Sequence, residues 1–159
     1  VSTLQLYGKF AANILGGEAS GDVGMSDYLT NAIRCTLHTA TYVPAVDTNE
    51  AFADATNELG TANGYTANGI AIGGKTVVYT AAGGITTFEM DDTTVTWTAV
   101  TGNLVFQHAV FHDDTVTVGP PIKPLYGWID CGAQTITPGN TFTITTGASG
   151  LFTGTVTGA

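Results

Sequence analysis

Positive charge is what this chain has least of. Lys9, Arg34, Lys75 and Lys123 are its only cations against 13 carboxylates, and the formal net charge is −9. No basic stripe exists to neutralise phosphates, so the reading is no nucleic-acid partner. The same charge repels an anionic membrane surface, and no run approaches the roughly 20 apolar residues of a spanning helix. The first residues also lack the basic region and apolar core of a secretory leader. Cysteine is scarce too. Cys35 and Cys131 stand far apart with no CxxC or Cys/His cluster, which excludes a structural zinc site and leaves one disulfide or two small apolar thiols. Catalytic signatures are missing as well: no GxSxG elbow, no P-loop, no dinucleotide fingerprint. The reading is therefore no cofactor and no enzyme.

Threonine and glycine fill the gap. There are 29 threonines and 21 glycines in 159 residues, while charged residues make up only 11%. Threonine is β-branched and suits a half-exposed pleated surface, and glycine supplies tight turns. With 43% hydrophobic residues the chain is globular and long enough for one domain with a real core.

Two helices are expected, both before residue 60. In LYGKFAANIL, Leu6, Phe10 and Ile14 recur at four-residue spacing, as do Tyr7, Ala11 and Leu15, and Gly16-Gly17 ends the run. Residues 1–17 are thus read as an arm and helix, and 18–159 as a single β-rich domain. A second, short helix is expected in DTNEAFADATNEL, where Asp47 and Glu50 have capping-box spacing and Ala51, Phe52, Ala55 and Leu59 follow. Between the two, LTNAIRCTLHT alternates like a strand with Ile33, Cys35 and Leu37 facing in.

From Gly64 onward the pattern is short strands. GYTANGIAI, KTVVYTA, ITTFEM, TTVTWTAV, NLVFQHAVF, LYGWIDCG, NTFTITTG and GLFTGTVTG are separated by Gly, Asn, Asp or Pro. Val95, Trp97 and Ala99 share one face of their strand, and Phe142 and Ile144 share one face of theirs. The threonines opposite form either a wet sheet face or a surface for another subunit. The expected fold is mainly β: an antiparallel sandwich or barrel-like sandwich carrying the two helices.

VFQHAVFHDD holds two of the three histidines, His108 and His112, followed by Asp113 and Asp114. On a helix such a pair could chelate a metal. On a strand, four residues span about 13 Å, too far for one ion. Strict alternation puts both histidines on the face of Leu104, Phe106 and Val110, near a sheet end or a subunit contact, with the aspartates opening a turn. If they lie at a contact, assembly should weaken near pH 6.5, roughly the ordinary histidine value. Asp91-Asp92 reads as another turn.

Taken in order, LYGKF, TYVPAVDTNEAFAD, GYTANG, GGKTVVYTA, DDTTVTW, LYGWIDCG, TFTITT and GLFTGTV resemble a family of small virion proteins of tailed bacteriophages. The resemblance covers most of the chain. It departs in the longer Gly/Ser/Asp loop after the first helix and in ATNELGTAN before GYTANG. It implies a structural role: a decoration, or cement, protein on the outer capsid surface, with the major capsid protein as partner and a homo-oligomer as its own state. A tail or fibre-base component, with receptor or carbohydrate binding, is the alternative. A hydrolase of unseen type is a third reading, confined to His108, His112 and Asp114. The family carries no catalytic residues to transfer. Docking elements would be the N-terminal segment through Leu4, Leu6, Tyr7 and Phe10, the GPPIKP loop through Pro120 and Pro121, and His108 and His112. The competing readings are that the helix packs on its own domain and that the loop is a proline-stiffened connection.

Overall fold

The computed structural model describes residues 4–8, 29–82, 85–91, 94–118, 121–145 and 152–157. The fold is mainly β, and every strand pairing among the described residues is antiparallel. Among the described residues ten strands follow in chain order: β1 (Leu4–Leu6), β2 (Ile33–His38), β3 (Ile70–Ala71), β4 (Thr76–Ala82), β5 (Ile85–Asp91), β6 (Val95–Thr98), β7 (Leu104–Asp113), β8 (Leu125–Ile136), β9 (Thr141–Ile144) and β10 (Phe152–Thr157). They form a five-stranded sheet β1-β8-β7-β2-β3, a three-stranded sheet β10-β5-β4 and a two-stranded sheet β6-β9. No helix among the described residues is long and apolar enough to cross a membrane.

The main core lies between one face of the five-stranded sheet and the β6-β9 pair. Ile33, Cys35 and Leu37 from β2 meet Phe106, Ala109 and Phe111 from β7, and Val95, Trp97 and Ala99 close over them. Phe142 and Ile144 pack on the same cluster from β9, stacking Phe142 on Trp97 with ring centroids 6.1 Å apart. The alternation expected for β2, β6 and β9 is therefore the one observed. Neither cysteine is in a disulfide; Cys35 lies inside this core and Cys131 at its margin.

The helix expectations need correction. Leu4 to Leu6 is a strand, not the approach to a helix. Its half-buried leucines alternate with exposed Gln5, and the strand pairs with Gly127, Trp128 and Ile129 of β8. Gly127 makes that approach feasible, because a Cβ there would come within 2.5 Å of the Gln5 carbonyl. The four-residue stripe thereby loses Leu6, and residues 9–17 lie outside the described residues. The second helix is reduced to one 3-10 turn, Phe52–Asp54. Its turn is closed not by Asp47 but by Asp54, whose Oδ2 accepts from the amides of Glu50 at 2.9 Å and Ala51 at 3.0 Å. The neighbouring backbone is engaged elsewhere: Phe52 N donates to Lys123 O and Leu125 N to Glu50 O, both at 2.9 Å. Leu59 N likewise donates to Leu37 O of β2. These long-range bonds satisfy groups that a helix would have paired internally, and a weak local propensity yields to them.

GYTANG is a turn rather than a strand, and only Ile70–Ala71 of that run pairs with β2. Gly69 sits at φ +60, and a Cβ there would lie 2.0 Å from the Cys35 carbonyl, so no other residue fits. The expected aspartate turns are more nearly right: Asp113 closes β7 and Asp91 closes β5, while Asp92 lies outside the described residues.

Candidate functional site

The second face of the five-stranded sheet gathers all three histidines of the chain. On β2 the residues between the core positions are Arg34, Thr36 and His38, and they point away from the main core. Their partners across the ladder on β7 are His112, Val110 and His108. His38 and His108 are directly opposite, where cross-strand side chains come within about 5 Å.

This arrangement requires a phase change in β7. Leu104 and Phe106 point into the main core, and so do Ala109 and Phe111, three residues further on. The β7-β8 ladder shifts register between Phe106 and His108, and the inward phase moves by one residue. His108 and His112 therefore share a face with Val110 but not with Leu104 and Phe106, which corrects the strict alternation count.

Loops cover this face. Tyr7, Tyr42, Ala55, Val110 and Leu125 form a second buried cluster, with Phe52 and Trp128 packed against it. Tyr42 donates from its hydroxyl to Asn49 Oδ1 at 3.2 Å, so Tyr7 is left to donate its own proton to the Tyr42 oxygen. Burial raises both phenol pKa values. Rings surround the imidazoles. Phe52 stacks on His112 with centroids 3.9 Å apart, Tyr42 lies 5.2 Å from His38, and Tyr42 and Trp128 each stand edge-on to His108 at 5.8 Å.

All three imidazoles are held neutral, and burial is the main cause. His38 is pushed down to about 4 by burial, against the hydrogen bond its Nδ1 makes to Thr56 O at 2.8 Å. A carbonyl only accepts, so Nδ1 carries the proton and Nε2 receives the Thr36 hydroxyl at 2.9 Å. His112 is fully buried and pushed down to about 3, with Lys123, Arg34 and His38 adding to the effect of burial and Asp114 opposing it. Its Nε2 lies 3.9 Å from Asp114 Oδ1, beyond hydrogen-bond reach. His108 is lowered by burial, while Asp130 and the Tyr42 backbone pull the other way.

Asp114 is the charged rim of this face. It pairs with Lys123 Nζ at 2.6 Å, accepts Asn68 Nδ2 at 2.9 Å and lies 3.9 Å from Arg34 Nε. Burial alone would raise its pKa, but the Lys123 and Asn68 contacts outweigh that and hold it below the ordinary carboxylate value. Beyond it lies an open groove of about 930 Å³, lined by Phe52, Ala53, Pro121, Ile122 and Lys123 among others. The Phe52 ring is thus shared, stacked on His112 and lining the groove.

The residues singled out from sequence fare unequally. Leu4 and Leu6 are half-buried on the main core, and Tyr7 is buried in the second cluster. His108 and His112 are buried within their own chain, so the subunit-contact reading fails for them as the fold stands, and their titration is displaced to the acid side of 6.5. Pro121 lines the groove. Phe10 and Pro120 lie outside the described residues. Sequence reasoning missed His38, Tyr42 and Phe52. The available signal was that His38 falls on the outward phase of β2, with Arg34 and Thr36. What was lacking was the knowledge that β7 pairs there. Among the described residues, no three His, Cys, Asp or Glu side chains are placed to hold one metal ion.

No family model, no curated protein and no solved structure matches this chain.

Proposed function

We propose that the chain is a non-enzymatic structural protein of a virus particle, a decoration protein that docks as a homo-oligomer on the major capsid protein at the outer shell surface. The observation that carries this reading is the paired loop surface beside the groove. Segment 39–54 is joined to residues 121–124 by the Ala51–Pro124 bridge, and Lys123 N donates to Val116 O at 2.8 Å, holding 121–124 to 116–118. Together they expose Val43, Val46, Val118 and Ile122, at 77%, 39%, 64% and 52%. Large apolar side chains held out on braced loops favour a contact surface over a reaction pocket. The resemblance in segment order to tailed-phage virion proteins points the same way. We also read the main core, lying between the five-stranded sheet and β6-β9, as the interior of a sandwich.

Binding of the purified protein to emptied, undecorated shells tests the reading. Saturable binding is expected, and Ile122→Asp should weaken it at least about tenfold, since a charge replaces a central apolar contact. An absence of saturable binding would sink the decoration role.

A further inference from the structure

Three reactive side chains meet where β2 begins, β7 ends and β4 begins. Asn31 stands two residues before β2, and Asp113, the last residue of β7, is opposite Ile33 in the ladder. Asn31 Nδ2 donates to Asp113 Oδ2 at 2.6 Å. Asp113 is fully buried, and its Oδ1 accepts the Thr115 amide at 2.8 Å. The carboxyl group is thus pinned on one side and holds the asparagine amide on the other. Lys75, the residue before β4, brings its Nζ onto the main-chain carbonyl of the same Asn31. The amine therefore rests against the residue whose side-chain amide a buried carboxyl group already grips. Attack on Cγ would require the long lysine stem to change rotamer, from the main-chain oxygen to the side-chain amide.

The other described cations are differently engaged. Arg34 donates to the carbonyls of Asn68 and Gly69, and Lys123 pairs with Asp114. Among the described residues, Lys75 is the cation placed beside a carboxamide that is hydrogen-bonded to a buried acid.

We propose that Lys75 and Asn31 form an intramolecular isopeptide bond, with Asp113 as the catalytic acid–base. Once it has lost its proton, the Lys75 amine attacks Asn31 Cγ, the Nζ–Cγ bond forms, and the Cγ–Nδ2 bond breaks. Asp113 takes a proton from Nζ and delivers one to Nδ2, which leaves as ammonia. Amine plus carboxamide becomes secondary amide plus ammonia, with no oxidant and no external co-reactant. Lysine amines serve as nucleophiles once neutral, and fixed proximity replaces a bimolecular encounter. Asp113 is fully buried, while Asn31 and Lys75 are half-buried, so the acid is the most shielded of the three groups. The bond would close the chain between residues 31 and 75. It would also tie the three-stranded sheet to the five-stranded one, between which no ladder runs among the described strands.

Mass spectrometry of the intact, folded and then denatured protein decides the matter. The expected mass lies about 17 Da below that of the sequence, the loss of one ammonia. Lys75→Arg keeps the charge but cannot form the bond, and should restore the full mass. Trypsin cuts after Lys9, Arg34 and Lys75, while Lys123 is protected by Pro124. The linked form should resist cleavage at Lys75 and yield peptide 10–34 joined to 35–159. Lys75→Arg should also melt roughly 10 °C lower, as expected for loss of a cross-link over such a loop. The full sequence mass in the wild-type protein, fresh and after long incubation at neutral pH, would overturn the proposal. So would a deficit that survives Lys75→Arg.

Discussion

The two faces of the five-stranded sheet are both buried at their centres and chemically opposite. One is wholly apolar, with Ile33, Cys35, Leu37, Ala109 and Phe111 at no exposure. The other buries Thr36, His38, His108 and His112 under aromatic rings. Burial of hydrocarbon stabilises a fold at any pH. Burial of imidazole stabilises it only while the ring stays neutral. The same backbone thus carries an unconditional core on one side and an acid-sensitive one on the other.

The largest test of that contrast is acid. The folded pKa values of His38 and His112 lie below the unfolded value of about 6.5, so the folded state binds fewer protons. Stability is then fully present above pH 6.5 and is lost as pH falls toward about 4 for His38 and about 3 for His112. At one pH unit per about 1.4 kcal/mol, each group forfeits roughly 3 kcal/mol or more by the acid end, a large share of a typical domain's stability. Urea denaturation at pH 7 and pH 4.5 should show the loss. His112→Phe should flatten the profile while changing little at pH 7. A wild-type profile flat across this window would remove the contrast.

A smaller effect is expected from the apolar face. Phe111→Ala should cost roughly 3–5 kcal/mol from lost burial and the cavity left behind. The loss should be the same at pH 7 and pH 5. A strongly pH-dependent loss would mean that the two faces are coupled.

The smallest effect concerns the rim. Asp114→Asn removes the partner of Lys123 and the one charge that favours protonated His112. The partly exposed ion pair contributes about 1 kcal/mol or less. The informative readout is the His112 titration followed by NMR, which should move to still lower pH. A shift upward would place a different group in control of this imidazole.

Much of the apolar face was legible in advance. The two-residue period of IRCTL, VTWTA and TFTI names its inward residues directly, because side chains alternate on any strand. The histidine face was not legible. His38 and His108 are 70 positions apart, and only the β2-β7 register makes them neighbours. His108 also changes sides through an irregularity in the β7-β8 ladder that no residue type announces. The short helix failed for a related reason. Residues 50–52 satisfy the helical pattern, but Lys123 and Leu125 offer their backbone as partners.

By itself, then, the amino-acid order determined the antiparallel β character and the inward set of the main core. These follow from local period, composition and spacing. Tertiary structure alone decided that three scattered histidines share one buried face, that Asn31, Lys75 and Asp113 meet, and that a helical pattern yields a single turn. Each of these depends on which distant backbone groups pair, and the local period of a strand names its inward residues but not its partner strand.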